Sequence, residues 1–175
     1  MAKATLLLGS NRGNRMMILE QAILEIQEKA GKAYSFSSLY ESEPWGFDDN
    51  IPFINQVIVI ETALSPKHLL NTLLSIETAL GRVREKTGVY SPRPIDIDIL
   101  FYNDLIVNEP DLQIPHPRMQ NRMFTLMPLM EISPGFMHPV LKKPVSELKD
   151  QCPDLLSVAR LTEITAGSKV AADEI

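Results

Sequence analysis

Phe53-Ile54-Asn55-Gln56-Val57-Ile58-Val59-Ile60-Glu61-Thr62 is dense in β-branched side chains and free of glycine and proline, which predicts a strand. On its N-terminal side, residues 43–52 are crowded with turn formers and carry Trp45 and Phe47, so they read as a long loop. Before that loop, Tyr34, Phe36 and Tyr40 suggest a strand over residues 33–40. Earlier still, Met16, Leu19, Ala22, Ile23, Ile26 and Ala30 recur at helical spacing and Gly31 supplies a stop. Thr5 to Leu8 form an apolar run that Gly9 is expected to end in a turn. On the C-terminal side, Ser65-Pro66 is a helix start, because the hydroxyl caps free N–H groups and proline sits where no hydrogen bond is lost. Leu69, Leu70, Leu73, Leu74, Ile76 and Leu80 line that helix, Gly81 closes it, and residues 95–102 alternate as a strand should. The order strand, helix, strand, strand, helix, strand predicts an α+β, ferredoxin-like fold, with helices on one face of a mainly antiparallel sheet. Short helices are expected near residues 124–130 and 145–150, one domain over residues 1–161, and a flexible tail over residues 162–175.

Composition narrows the function. The 17 Lys and Arg against 22 Asp and Glu give a formal charge of −5, which disfavours a nucleic-acid binder held by a basic surface. No apolar stretch approaches the roughly 20 residues of a membrane span. Cys152, the single cysteine, has no partner for a disulfide, and the apolar run at the N-terminus is too short for a signal peptide, so a cytoplasmic protein is expected. Nothing in the sequence calls for an obligate protein partner.

Asp96-Ile97-Asp98 is the sharpest chemical feature. Alternate side chains of a strand share a face, which sets these carboxylates side by side with Cα atoms roughly 6.6 Å apart. Two hard anions so placed can grip Mg²⁺, which is usually held by one or two carboxylates plus substrate phosphates. The same spacing also fits the solvent face of an edge strand. Arg82, Arg84, Lys86 and Arg93 precede the pair, and guanidinium groups fork onto phosphate oxygens. Arg82 and Lys86 also suit a helix C-terminus, where cations offset the dipole. Phe53 and Asn55 project together from their strand, a ring to stack a flat heterocycle and an amide to bond its edge, or else a core ring beside a polar strand end. Trp45 and Phe124 are further rings with the same two readings. Glu77 falls close to the apolar stripe of its helix, and His116 is held between Pro115 and Pro117. The loop from Gly9 to Asn14 joins strand to helix, where anions bind, but lacks the spacing of a P-loop.

Taken together, Leu8-Gly9-Ser10-Asn11, Phe53-Ile54-Asn55, Glu77 with Gly81-Arg82, Arg93-Pro94-Ile95-Asp96-Ile97-Asp98 and Ile114-Pro115-His116-Pro117-Arg118-Met119, running on to Arg122 and Phe124, resemble the 6-hydroxymethyl-7,8-dihydropterin pyrophosphokinases, known as HPPK. The resemblance implies transfer of the terminal diphosphate of ATP to the pterin hydroxymethyl group in folate biosynthesis, releasing AMP. It implies that Asp96 and Asp98 hold two Mg²⁺ ions and that Arg82 and Arg93 join them in catalysis. It implies ATP contacts from Glu77, Arg82, Arg84, Arg93, Ile99, Leu112, His116 and Arg122. Phe53 and Phe124 would sandwich the pterin, and Asn55, Ser42, Pro44 and Trp45 would complete its pocket. Loops starting at Gly9, Glu43 and Arg82 would close over the substrates. Tyr90, Asp111 and Gln113 differ from versions of the family pattern. Two competing readings are a nucleotidyltransferase, whose glycine-serine and D-x-D elements lie much closer in sequence than Ser10 and Asp96, and a non-catalytic ferredoxin-like binding module, for which the acidic pair would be a surface accident.

Overall fold

A computed structural model describes residues 1–83 and 92–161. They run β1 (Ala2–Ser10), α1 (Arg15–Lys29), β2 (Lys32–Phe36), β3 (Tyr40–Ser42), β4 (Phe53–Thr62), α2 (Pro66–Ala79), β5 (Asp96–Tyr102), β6 (Val107–Glu109), β7 (Leu112–Ile114), α3 (Met123–Ile132), α4 (Val145–Asp150) and β8 (Val158–Arg160). β4 is the hub of a six-stranded sheet. β1 pairs with it along its whole length, from Ala2 opposite Thr62 to Ser10 opposite Ile54, and β5 lies outside β1. The other edge of β4 is shared, its C-terminal half by β2 and its N-terminal half by β3, with β8 outermost on β3. Every pairing is antiparallel.

The near-continuous apolar run of β4 follows from burial on both faces of the sheet. Leu6, Leu8, Ile58, Ile60, Ile97 and Ile99 face Leu19, Ala22 and Ile26 of α1 and Leu69, Leu73 and Ile76 of α2. Each leucine or isoleucine among them stabilises the fold by about 1.5–3 kcal/mol when fully buried. Leu7, Val57, Leu100 and Phe101 pack on the opposite side with Met119, Leu129 of α3 and Val145 of α4. The first two helices therefore share one face as the sequence predicts, but α3 and α4 cover the other, because the strands are apolar at both sets of alternate positions.

Helix starts obey local chemistry. Asn14 accepts the Met17 N–H at 3.2 Å and Ser65 accepts the His68 N–H at 3.4 Å. After α1, Gly31 has φ +154°, and a Cβ there would fall 2.2 Å from the Glu61 carbonyl oxygen, so the chain crosses β4 where only glycine fits. Two expectations need correction. Gly9 is not a turn but lies inside β1, which runs on to Ser10. The strand expected over residues 33–40 breaks into β2 and β3, because the Ser37 hydroxyl takes the Val57 N–H at 3.0 Å and interrupts the ladder. The β6–β7 hairpin and β8 carried no signal strong enough to be read from sequence.

Candidate active site

The register of three strands builds the floor of a cleft. Gly9 stands opposite Asn55 of β4 on one side and Asp96 of β5 on the other. Two positions back, Leu7 stands between Val57 and Asp98. The amide and the paired acids are thus separated by two strand spacings, roughly 10 Å, with a glycine between them. A Cβ on Gly9 would lie 3.1 Å from Asn55 Oδ1 and 3.6 Å from the Phe53 ring, so the missing side chain leaves the floor low. Asn55 is buried and donates to Ser42 Oγ at 2.8 Å, which fixes its amide against β3.

The walls are aromatic and cationic. Trp45 and Phe47 come from the β3–β4 loop, Phe53 from β4, and Arg122 and Phe124 from the start of α3. The Phe47 and Phe53 rings meet edge to face at 6.1 Å. The Arg122 guanidinium lies 4.6 Å from the Trp45 ring centre and 5.6 Å from that of Phe124, and Arg93 lies 5.9 Å from that of Phe53. The cleft opens to solvent, and the space between its walls, open solvent included, is about 460 Å³.

Charge is concentrated at the β5 end. Arg82 pairs with Glu77 at 2.7 Å and with Asp96, and Arg93 pairs with Asp96 at 3.1 Å. Burial alone would lower the Arg82 pKa, but Asp96 and Glu77 outweigh it and raise it. Glu77 also accepts the Ile97 N–H at 2.7 Å, gripping the residue between the two aspartates. Burial, then the neighbouring Asp96, raises the Asp98 pKa against the pull of Arg122 and Arg93. His116 Nε2 lies 3.8 Å from Asp98, and burial followed by repulsion from Arg122 lowers its pKa to about 4.

His116 is therefore neutral at pH 7 in the folded chain, and stability acquires an acid limb. Between the folded value of about 4 and the unfolded value near 6.5, the unfolded chain binds more protons, so stability falls as pH drops through that window. Asp98 acts with the opposite sign, since a raised carboxyl pKa favours the fold at low pH and loses that contribution as pH rises. Because Asp98 offsets this loss in the wild type, His116→Asn is expected to lose less stability, or gain more, than wild type on going from pH 7 to pH 4.5, with at most about 3 kcal/mol at stake. Urea midpoints at pH 7 and pH 4.5 check it, and equal pH losses in wild type and variant would refute it.

Most of the residues singled out from sequence meet here. Ser42, Trp45, Phe53, Asn55, Arg93, Asp96, Asp98, Arg122 and Phe124 line the cleft, with Arg82 and His116 reaching its acids. Ile99 and Leu112 pack in the core beneath α1 and α2, and Glu77 is 1% exposed, behind the acidic pair. Pro44 is half-buried in the loop beside Trp45 and is not among the lining residues. Arg84, Lys86 and Tyr90 lie outside the described residues. Sequence reasoning missed Leu7 as a lining residue and placed Gly9, Glu43 and Phe47 only within loops expected to close over the substrates. The position of Phe47 two residues beyond Trp45 was the available signal for one of them. It also missed Asp154, which accepts the Met123 N–H at 2.9 Å and so caps the helix that presents Phe124.

A sequence model of the 7,8-dihydro-6-hydroxymethylpterin-pyrophosphokinases (HPPK) matches residues 5–134, a span that holds every lining residue of the cleft. The chain belongs to the HPPK family. HPPK relatives agree: the 2-amino-4-hydroxy-6-hydroxymethyldihydropteridine pyrophosphokinase of Porphyromonas gingivalis is 41% identical over 146 residues, covering 82% of this chain and 99% of that one. The enzyme of the same name from Aquifex aeolicus is 38% identical over 151 residues, 86% of this chain and 92% of its own. Among solved structures, the Plasmodium falciparum HPPK-DHPS with pteroate superposes with a TM-score of 0.72 at 19% identity, covering 86% of this chain. The present HPPK chain spans 44% of that protein's length, and the likeness supports the α+β fold. This HPPK is thus a pyrophosphokinase, an ATP-dependent enzyme of folate biosynthesis. Among the described residues, no helix is long and apolar enough to cross a membrane.

Proposed function

We propose that this cleft transfers the β,γ-diphosphate of ATP to the hydroxymethyl oxygen of 6-hydroxymethyl-7,8-dihydropterin, giving AMP and the pterin diphosphate. One observation carries the reading: an amide flanked by aromatic rings and a pair of carboxylates flanked by arginines share one floor, separated by Gly9. In the reaction the hydroxymethyl oxygen attacks the β-phosphorus, the bond from that phosphorus to the α,β-bridging oxygen breaks, AMP leaves with that oxygen, and the hydroxyl proton passes to solvent.

The donor set suits magnesium. Asp96 and Asp98 supply hard oxygens on one face of β5, and a set of two carboxylates leaves coordination places for phosphate oxygens and water. Two Mg²⁺ ions, when bound with ATP, would neutralise charge on the transferring phosphates. Burial that disfavours the Asp98 anion is relieved by a cation beside it. In this proposal Arg82 and Arg93 stabilise the charge that builds in the transition state, and His116 and Arg122 steady the phosphates. Phe53 and Phe124 stack the pterin, Trp45 borders it, and Asn55 with Ser42 reads its amide edge. Glu77, Ile99 and Leu112 back the nucleotide side from beneath the floor. The substrates are small molecules and the proposed setting is the cytoplasm.

The test is AMP formation from ATP with the dihydropterin, with Mg²⁺ and again with a chelator. Pterin-dependent and Mg²⁺-dependent AMP supports the reading. ADP in its place, or no nucleotide turnover by folded protein, rejects it.

A further inference from the structure

Asn11 follows the last residue of β1, is 0% exposed, and spends its polar groups on two other segments of the chain. Its Oδ1 accepts the Arg93 N–H at 2.9 Å, and its own N–H donates to the Arg93 carbonyl at 3.2 Å. Its Nδ2 donates to Asp49 Oδ2 at 3.2 Å and to the Ile51 carbonyl at 3.4 Å. The next residue, Arg12, closes the same junction by donating to Asp49 Oδ2 at 2.6 Å and to the Asn11 carbonyl at 2.8 Å. One buried amide therefore joins the backbone of Arg93, on the acidic side of the cleft, to the β3–β4 loop that carries Trp45 and Phe47 on the aromatic side. Asparagine suits this post because a single planar group offers an acceptor to one segment and donors to another. A buried amide that lost either partner would bear the cost of an unmet hydrogen bond.

We propose that Asn11 is a positioning residue that locks the β3–β4 loop to Arg93, so that the ring wall and the phosphate wall of the cleft are held in one register. Its consequence for turnover rests on the substrate-facing roles proposed above for Trp45 and Arg93. The lock itself does not, and can be read without substrate. Asn11→Asp keeps the acceptor for the Arg93 N–H but sets a carboxylate against Asp49. The hydrogen bond from Arg12 holds the Asp49 carboxyl below its usual range, so the two anions repel. Asn11→Asp/Asp49→Asn restores one donor and one acceptor across the junction with their places exchanged.

Trp45 is the only tryptophan, so acrylamide quenching of its fluorescence reports the loop directly. In ligand-free protein, Asn11→Asp is expected to raise the quenching constant about twofold by loosening the loop. It is expected to lower turnover about tenfold or more by misplacing groups around the substrates. The exchanged double variant should recover most of both. Unchanged quenching in Asn11→Asp, or no recovery in the double variant, overturns the lock. If Asn11→Asp does not fold, Asp49→Ala cuts the same junction from the loop side, and a wild-type quenching constant there overturns it equally. Wild-type protein that makes no AMP would reject the proposed reaction while leaving the fluorescence comparison to decide the lock.

Discussion

Asp98→Ala is expected to cut AMP formation by about three orders of magnitude while leaving the fold at least as stable as wild type. The activity loss follows from the proposed chemistry: phosphoryl transfer is accelerated mainly by electrostatic stabilisation, and Asp98 is one of only two acids on the cleft face of β5. The stability half has a separate cause. Burial and the neighbouring Asp96 raise the Asp98 pKa, so its anion is a burden on the ligand-free fold at neutral pH. Removing it relieves that burden. Thermal unfolding without ligand, beside the AMP assay, separates the two effects. Equal rates in wild type and variant would take Asp98 out of the mechanism, and a large loss of melting temperature would contradict the electrostatic account.

Glu77→Ala should produce the largest loss of stability, about 2–3 kcal/mol, because it leaves the buried Ile97 N–H without its acceptor and Arg82 with one carboxylate where it had two. Glu77 is 1% exposed, takes the Ile97 N–H at 2.7 Å and pairs with Arg82 at 2.7 Å. Its loss leaves a buried backbone donor without its acceptor and Arg82 drawn toward Asp96 alone. Since Ile97 sits between Asp96 and Asp98, the same change loosens the spacing of the acids. Glu77→Gln, which keeps an acceptor but not the charge, should fall between wild type and alanine. Urea unfolding measures all three, and an alanine variant within about 1 kcal/mol of wild type would refute the role, since a surface substitution costs no more than that.

The acids, the ring and amide on β4, and the order of the elements up to β5, apart from the division of one expected strand into β2 and β3, were legible in the sequence for local reasons. Strand alternation puts Asp96 beside Asp98 and Phe53 beside Asn55 without reference to any other segment. Serine, proline and glycine mark where α2 begins and ends through bonds made within a few residues. Gly9 shows the boundary of such reasoning: a glycine after an apolar run looks like a turn, yet it remains in β1 because Asn55 and Asp96 approach from the two neighbouring strands. Asp154, β8 and the junction at Asn11 were out of reach for the same cause, since each exists only through a hydrogen bond to a distant residue.

By itself the sequence determined the α+β element order, the pairing of the carboxylates and the residue types needed for phosphate, metal and a flat ring. These follow from periodicity and side-chain chemistry, which are local. Only the tertiary structure decided that α3 and α4 cover the second face of the sheet, that Glu77 serves Arg82 and Ile97 from beneath the floor, and that Ile99 and Leu112 belong to the core. It alone set the row of Asn55, Gly9 and Asp96 across three strands. The register of an antiparallel sheet is chosen by which long-range pairing buries the most apolar surface on both faces at once, and no short window of sequence holds that sum.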